Sequence, residues 1–356
     1  MSKIVEYGDK KIGKGQPIFI VMEAGATHNG LDTAKKLVDV AVKAGADAIK
    51  FQMLRASDLV SSKEVLFKYK VLVDKNTKKI IEISEPLLDI LKRRELTREE
   101  WVDLINYCKQ REILFFSTVT TVEELEFLYS HGVRMIKICS GDINYHYLLA
   151  EAAKYDWIVQ IDTGLATLGE VEEAIDILER NGCDKIIINH CPSGYPSPLQ
   201  GVNLRILITL QAMFPYPVAF SDHFPGRDAD IAAVALGANI IEKTITLDKT
   251  IRSPEHIMSL EPDEAYEFVK AIRNIEMMMG SRRKSLTKEE LDNRKKVRRS
   301  LFARVNLKKG EFLKQNMIEY RRPGDGIEAH LDFLVLGKRL KRDVLQGEKL
   351  YFNDFE

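Results

Sequence analysis

The sequence predicts an α/β fold, a TIM-type (β/α)8 barrel followed by a small β-rich domain. Three observations carry this reading. Eight apolar, strand-like runs that end in polar residues occur before position 245. Segments with helical periodicity separate them. A phrase also recurs in which helical text closes on Gly and an apolar run follows: "AGADAIKFQ" (44–52), "HGVRMIKICS" (131–140), "NGCDKIIINH" (181–190) and "LGANIIEKT" (236–244). Gly at that position takes the left-handed conformation that ends a helix. The apolar run after it suits a parallel strand buried on both faces. Eight alternating units argue for a barrel, with a doubly wound open sheet as the alternative built from the same parts.

The strands are expected at 17–25, 44–52, 113–118, 131–140, 157–163, 181–190, 217–223 and 236–244. The helices are expected at 31–44, 97–111, 121–131, 145–154, 168–180, 204–214, 227–236 and 263–279. Thr97 with Glu100, and Thr121 with Glu124, have the spacing of capping boxes, in which each residue satisfies the other's free backbone N–H. The second unit is enlarged between Gln52 and Thr97. An insertion after strand 2 lies on the face where barrel active sites form, so it is placed to cover a substrate.

After Met279 the text becomes polar and basic, and residues 282–299 read as a solvated linker between a barrel at 1–281 and a domain at 300–356. That last piece has short strands, a Lys-Gly turn, a P-G-D-G turn and one short amphipathic helix. A domain of about 55 residues is marginal alone, so it is expected to dock on something.

Composition narrows the function. Lys plus Arg number 53 and Asp plus Glu number 53, so no global field favours nucleic acid or an anionic membrane. No aromatic residues interleave the basic stretch, which also argues against a nucleic-acid partner. No apolar run of about 18 residues exists, so no membrane span is expected. Cys108, Cys139, Cys183 and Cys191 lack metal-type spacing and are expected as reduced thiols of a cytoplasmic protein. The N-terminus shows no apolar signal-peptide core.

In a barrel of this type the C-terminal strand ends converge on one mouth. In order they offer Glu23, then His28 and Asn29; Lys50 and Gln52; Ser117 and Thr118; Lys137, Ser140 and Asp142; Asp162 and Thr163; Asn189, His190, Ser193 and Tyr195; Ser221, Asp222 and His223; and Glu242, Lys243 and Thr244, with Arg252, Glu255 and His256 beyond. Lys50 and Lys137 lie inside apolar strands. A buried lysine is costly unless paired, and Glu23 and Glu242 are the available partners. Lysines beside hydroxyls make an anion site, typically for phosphate. A lone lysine suits a Schiff-base aldolase instead, but two with Thr118, Ser140 and Thr163 favour the anion. His190, closing an apolar strand, reads as a hydrogen-bonded structural residue.

The blocks "EAGATHNG", "AGADAIKFQ", "KICSGD", "TGLATLGEVEEAI", "HCPSGYPSP", "FSDHFPG" and "SPEHIMSLEPDE" occur in the order found in the sialic acid (N-acetylneuraminate) synthases, including the legionaminic and pseudaminic acid synthases. The tail "RRSLFARVNLKKGEFL…RRPGDGI…LGKRL" resembles their SAF domain, which is similar to antifreeze proteins. The resemblance covers nearly the whole chain. It implies condensation of phosphoenolpyruvate with an N-acetylated hexosamine aldehyde to a nine-carbon 2-keto acid, with phosphate release, for surface glycans. It also implies a divalent Mn²⁺ or Mg²⁺ ion that polarises the aldehyde. It implies a domain-swapped homodimer, with the SAF domain of one chain over the barrel of the other.

Matched by position, the resemblance gives phosphoenolpyruvate to Lys50, Thr118, Lys137, Ser140, Thr163 and Ser221. It gives the sugar or proton transfer to Glu23, Gln52, Asp142, Tyr195 and Glu255, and the N-acetyl group to Arg322. It makes His223 a metal ligand. Three positions depart from the pattern. Thr244 stands where the second metal-binding His is expected, and a hydroxyl is a poor ligand beside an imidazole. Asp162 puts a negative charge near the expected phosphate, and Ser193 replaces an Asn. A synthase with a rebuilt metal site, drawing on Asp162, Glu23 or His256, is one reading of these changes. A condensing or aldol enzyme with another donor or sugar, and a non-catalytic sugar-binding homologue, are the others.

Overall fold

The computed structural model describes residues 2–356 and divides into two compact units, Met1–Gly280 and Ser281–Glu356. In the first unit, β1 (Phe19–Glu23), β2 (Ala48–Gln52), β3 (Leu114–Val119), β4 (Met135–Ile138), β5 (Ile158–Asp162), β6 (Ile186–His190), β7 (Val218–Asp222) and β8 (Ile240–Thr244) form a closed barrel. Every neighbouring pair is parallel, and β8 closes on β1 with Thr244 beside Glu23. The closed sheet excludes the open doubly wound alternative.

Helices α1 (Leu31–Ala44), α2 (Arg98–Gln110), α3 (Val122–Ser130), α4 (His146–Ala152), α5 (Leu168–Arg180), α6 (Ile206–Met213), α7 (Asp228–Ala235) and α8 (Pro262–Met279) follow strands β1 to β8 in turn around it, α2 after the insertion that enlarges the second unit. Their inner faces carry the apolar stripe that covers the strands: Leu37, Val38 and Ala41 on α1, and Val171, Ala174 and Leu178 on α5, are buried. Gly45 closes α1 with φ 81°, as the recurring Gly phrase predicts. Thr97 and Glu100 form the expected capping box at α2, and Thr121 and Glu124 form it at α3.

A short hairpin, Val5–Tyr7 with Lys10–Ile12, packs at the N-terminal strand ends, where Tyr7 meets Phe19 and Phe116 and bonds the Phe115 carbonyl. At the other end the insertion after β2 is ordered. An antiparallel hairpin, Leu66–Asp74 with Lys79–Pro86, leads into a helix at Leu87–Lys92. Tyr69, Val71 and Ile90 give it a small core of its own. Lys75 pairs with Asp248 and Glu261, and Arg252 reaches Glu85 at 3.4 Å, so the hairpin is tied to the loop beyond β8.

The second unit contains a ten-residue helix, Lys288–Val297, within the stretch read as linker. Thr287 and Glu290 cap its first turn, a signal that the high charge of the segment obscures. Strands Ser300–Ala303 and Ile318–Arg321 pair antiparallel over a core of Leu301, Leu307, Ile318, Leu340 and Leu350. The expected short helix is a 3₁₀ segment, Ala329–Leu334. Among the described residues no helix is long and apolar enough to cross a membrane.

Candidate active site

Inside the barrel, β1, β2, β4, β5 and β8 contribute one charged cluster. Lys50 on β2 and Lys137 on β4 both reach the same oxygen of Glu242 on β8, at 3.3 and 2.7 Å. Lys50 also pairs with Glu23 on β1 and approaches the Thr118 hydroxyl at 3.3 Å. Lys137 pairs with Asp162 on β5 at 2.9 Å. Asp162 accepts a further bond from Asn189 on β6, and Glu242 accepts one from Ser221 on β7 at 3.0 Å. All of these side chains are buried. The two lysines inside apolar strands therefore have the carboxylate partners that burial demands.

The charges of this cluster set one another. Burial raises the Glu242 carboxyl, but Lys137 and Lys50 outweigh it and hold the group at about 2. Burial raises Glu23 and Asp162 despite the pull of the lysines. Burial alone lowers Lys50 and Lys137, yet their carboxylates reverse this and keep both ammonium groups charged.

Above the cluster lies a cavity of about 370 Å³. Glu23, Lys50, Gln52, Thr118, Lys137, Ser140, Asp162, Ser193, Tyr195, His223, Glu242 and Glu255 line it. The insertion supplies an apolar wall from Leu59, Phe67, Leu87 and Ile90, together with Arg94. Gly25 lets the loop after β1 press against Gln52: a side chain there would meet the Gln52 nitrogen at 2.4 Å. That close approach lets Glu23 accept from both the Gly25 N–H (2.7 Å) and the Gln52 amide (3.1 Å). Burial raises Glu255 to about 7, opposed by Arg94 and reinforced by Glu23.

Residues 37–284 match the NeuB family model, and residues 298–356 match the SAF domain. The chain belongs to the NeuB family. It is 37% identical to an N,N'-diacetyllegionaminic acid synthase of Campylobacter jejuni, over 92% of this chain and 97% of that one. It is 35% identical to the enzyme of the same name from Legionella pneumophila, over 98% of each chain. It also resembles the crystal structure of N-acetylneuraminic acid (sialic acid) synthetase from Leptospira borgpetersenii in complex with citrate, with a TM-score of 0.71 and 31% identity, over 82% of this chain and 95% of that one.

Not every residue matched to the family pattern reaches the NeuB-type pocket. Ser221 and Thr244 are buried, and Ser221 acts beneath the pocket through Glu242. Thr163 donates to the Asn189 carbonyl at 3.2 Å and lines a neighbouring cavity. Asp142 turns back to Cys139 at 3.0 Å and is not in the pocket wall. Arg322 is exposed on the SAF unit. His190 bonds the Val202 carbonyl at 2.7 Å, the structural role its position suggests.

The donor set does not fit a divalent metal. His223 bonds the Pro192 carbonyl through Nδ1 at 3.2 Å; a carbonyl only accepts, so Nδ1 carries the proton and Nε2 keeps a lone pair. One imidazole is the whole of the expected set. His256 is held by Thr246 at 2.6 Å, Asp162 by Lys137 and Asn189, and Glu23 by Lys50 and Gln52. Among the described residues no three His, Cys, Asp or Glu side chains converge as ligands.

Proposed function

We propose that this protein condenses phosphoenolpyruvate with the open-chain aldehyde of an N-acetylated aminosugar, forming a 2-keto sugar acid and releasing phosphate. The observation that carries the reading is the pair of buried lysines, Lys50 and Lys137, facing one pocket in a NeuB-family barrel. In this reading the lysines and the Thr118 and Ser140 hydroxyls hold the donor's phosphate and carboxylate. The donor's methylene carbon attacks the aldehyde carbon, and the carbonyl electron pair moves onto its oxygen. Glu255, poised near neutrality, gives that oxygen a proton. Water adds to the cationic C2 of the former enol and returns one of its protons to Glu255; phosphate then departs with the C2–O bonding pair and takes up the remaining hydroxyl proton as C2 becomes the ketone. Gln52 and Tyr195 orient the acceptor.

Asp162 beside Lys137 is the one observation that favours a different donor. The test incubates purified protein with phosphoenolpyruvate and a panel of N-acetylhexosamines and diacetamido sugars, and measures phosphate. Release that depends on one sugar supports the reading; no release with any sugar defeats it. We also propose a cytoplasmic homodimer in which Arg322 of a second copy completes the acceptor site. Four free thiols agree with a reducing compartment. A monomeric mass by light scattering at micromolar concentration contradicts the dimer.

A further inference from the structure

The insertion carries two adjacent arginines with opposite fates. Arg93 is on the surface and forms a two-pronged pair with Glu85, at 3.2 and 2.7 Å. Arg94 is 6% exposed and lines the pocket. Its backbone N–H closes the preceding helix on Leu91, which fixes the side chain's point of departure. Its Nε is buried without a hydrogen-bond partner, and no carboxylate is in ion-pair contact with it among the described residues. A buried guanidinium without a counter-ion is among the costlier arrangements a fold can hold. A wall built only to exclude water has no use for it, as the neighbouring Leu87, Ile90 and Leu91 show.

The position of Arg94 in the pocket separates it from the lysines. Lys50 and Lys137 are saturated by Glu23, Asp162 and Glu242 on the barrel side. Of the carboxyl groups around it, Glu255 acts most strongly on Arg94 and Glu23 next. Those are groups assigned above to the acceptor and its proton. Arg94 and Glu255 line the same cavity and form no ion pair or hydrogen bond with each other.

We propose that Arg94 is a catalytic residue whose guanidinium binds the carbonyl oxygen of the acceptor and holds the negative charge it gains as the carbon–carbon bond forms. This rests on the condensation proposed above. The electron count is that of the same step: the carbonyl π pair becomes an oxyanion lone pair opposite Arg94, and a proton then neutralises it. A fixed cation aimed at a charge that develops only in the transition state accelerates the step without tightening ground-state binding. It is the task for which the chain assembles no set of metal ligands.

The experiment uses the full chain as wild type, Arg94→Leu, Arg94→Ala and Arg94→Lys, with phosphate release read before and after EDTA and then with added Mn²⁺. The wild type is expected to keep its rate in EDTA. Arg94→Leu is expected to lose about 10²–10³-fold in kcat, as for removal of one oxyanion donor, with KM for phosphoenolpyruvate little changed. Its melting temperature is expected to hold or rise, because an unpaired buried charge is gone; a merely structural arginine gives a lower one. Millimolar guanidinium is expected to restore part of the rate to Arg94→Ala, and Arg94→Lys to fall between. Wild-type kcat in Arg94→Leu, or a wild-type rate lost in EDTA and regained with Mn²⁺, overturns the proposal while leaving the condensation intact. A wild type that turns over no acceptor overturns both.

Discussion

Glu242 and Lys243 are neighbours on β8, and they belong to two different charge networks. Alternation along a strand sends them to opposite faces. Glu242 points into the barrel, bridges Lys50 and Lys137, and borders the pocket. Lys243 points outward under α7, where Asp222, Asp230 and the Phe224 carbonyl enclose it. The outer network is closed: its 1% exposed lysine side chain is enclosed by two buried carboxylates and the Phe224 carbonyl. The inner one is equally buried but forms the floor of a 370 Å³ cavity. Burial and pairing do not mark a functional charge; the side that opens on a cavity does.

Substitution of one lysine in each network breaks the comparison most sharply. Lys137→Met is expected to lower kcat/KM by about 10³-fold or more, since the lost charge is one the donor needs, and to melt cooperatively at a lower temperature, because Asp162 loses its cation while Glu242 keeps Lys50. Lys243→Met is expected to destabilise the fold by about 3–5 kcal/mol, because Asp222 and Asp230 are left buried without their cation. Denaturant unfolding and phosphate release on both variants check the pair. The account fails if Lys137→Met unfolds the barrel while Lys243→Met spares stability and abolishes turnover.

Glu255 sets the next effect. Burial puts its carboxyl at about 7. It must carry a proton to donate one, so kcat is expected to hold at low pH and to fall as pH rises through about 7. Glu255→Gln is expected to cost about 10²-fold and to flatten that limb of a pH–rate profile. An unchanged profile in the variant removes Glu255 from proton transfer.

The smallest effect concerns Asp162. Its raised carboxyl competes with the donor for Lys137, so donor binding is expected to take up a proton. Affinity for phosphoenolpyruvate should then weaken as pH rises. Asp162→Ser is expected to tighten binding by about tenfold and to reduce the proton uptake, read by calorimetry in buffers of different ionisation enthalpy. Equal affinity and equal uptake in the variant contradict the competition.

The barrel was legible because all eight strands are apolar runs that end in polar residues at the mouth, and four of them also follow a Gly that ends the helix before. The lysine pairs were legible for the same reason: a charge inside an apolar run needs a partner, and Glu23 and Glu242 were the candidates. Arg94 was not. In "LKRREL" it reads as one more surface cation after a helix, and only the fold of the insertion buries it. Asp142 and Thr163 sit at the expected strand ends, yet local bonds to Cys139 and the Asn189 carbonyl turn them aside. Such bonds depend on loop geometry that a linear pattern does not carry. The helix at Lys288–Val297 had its cap in plain sight at Thr287 and Glu290, but nine cationic residues between 282 and 299 argued for solvation instead.

Calorimetric titration of phosphoenolpyruvate into the wild type and into Lys137→Met tests the central claim, that the inner lysine cluster is the donor site. The account predicts saturable binding to the wild type and loss of that binding in a folded Lys137→Met. Equal binding to both proteins, or none to the wild type, contradicts it.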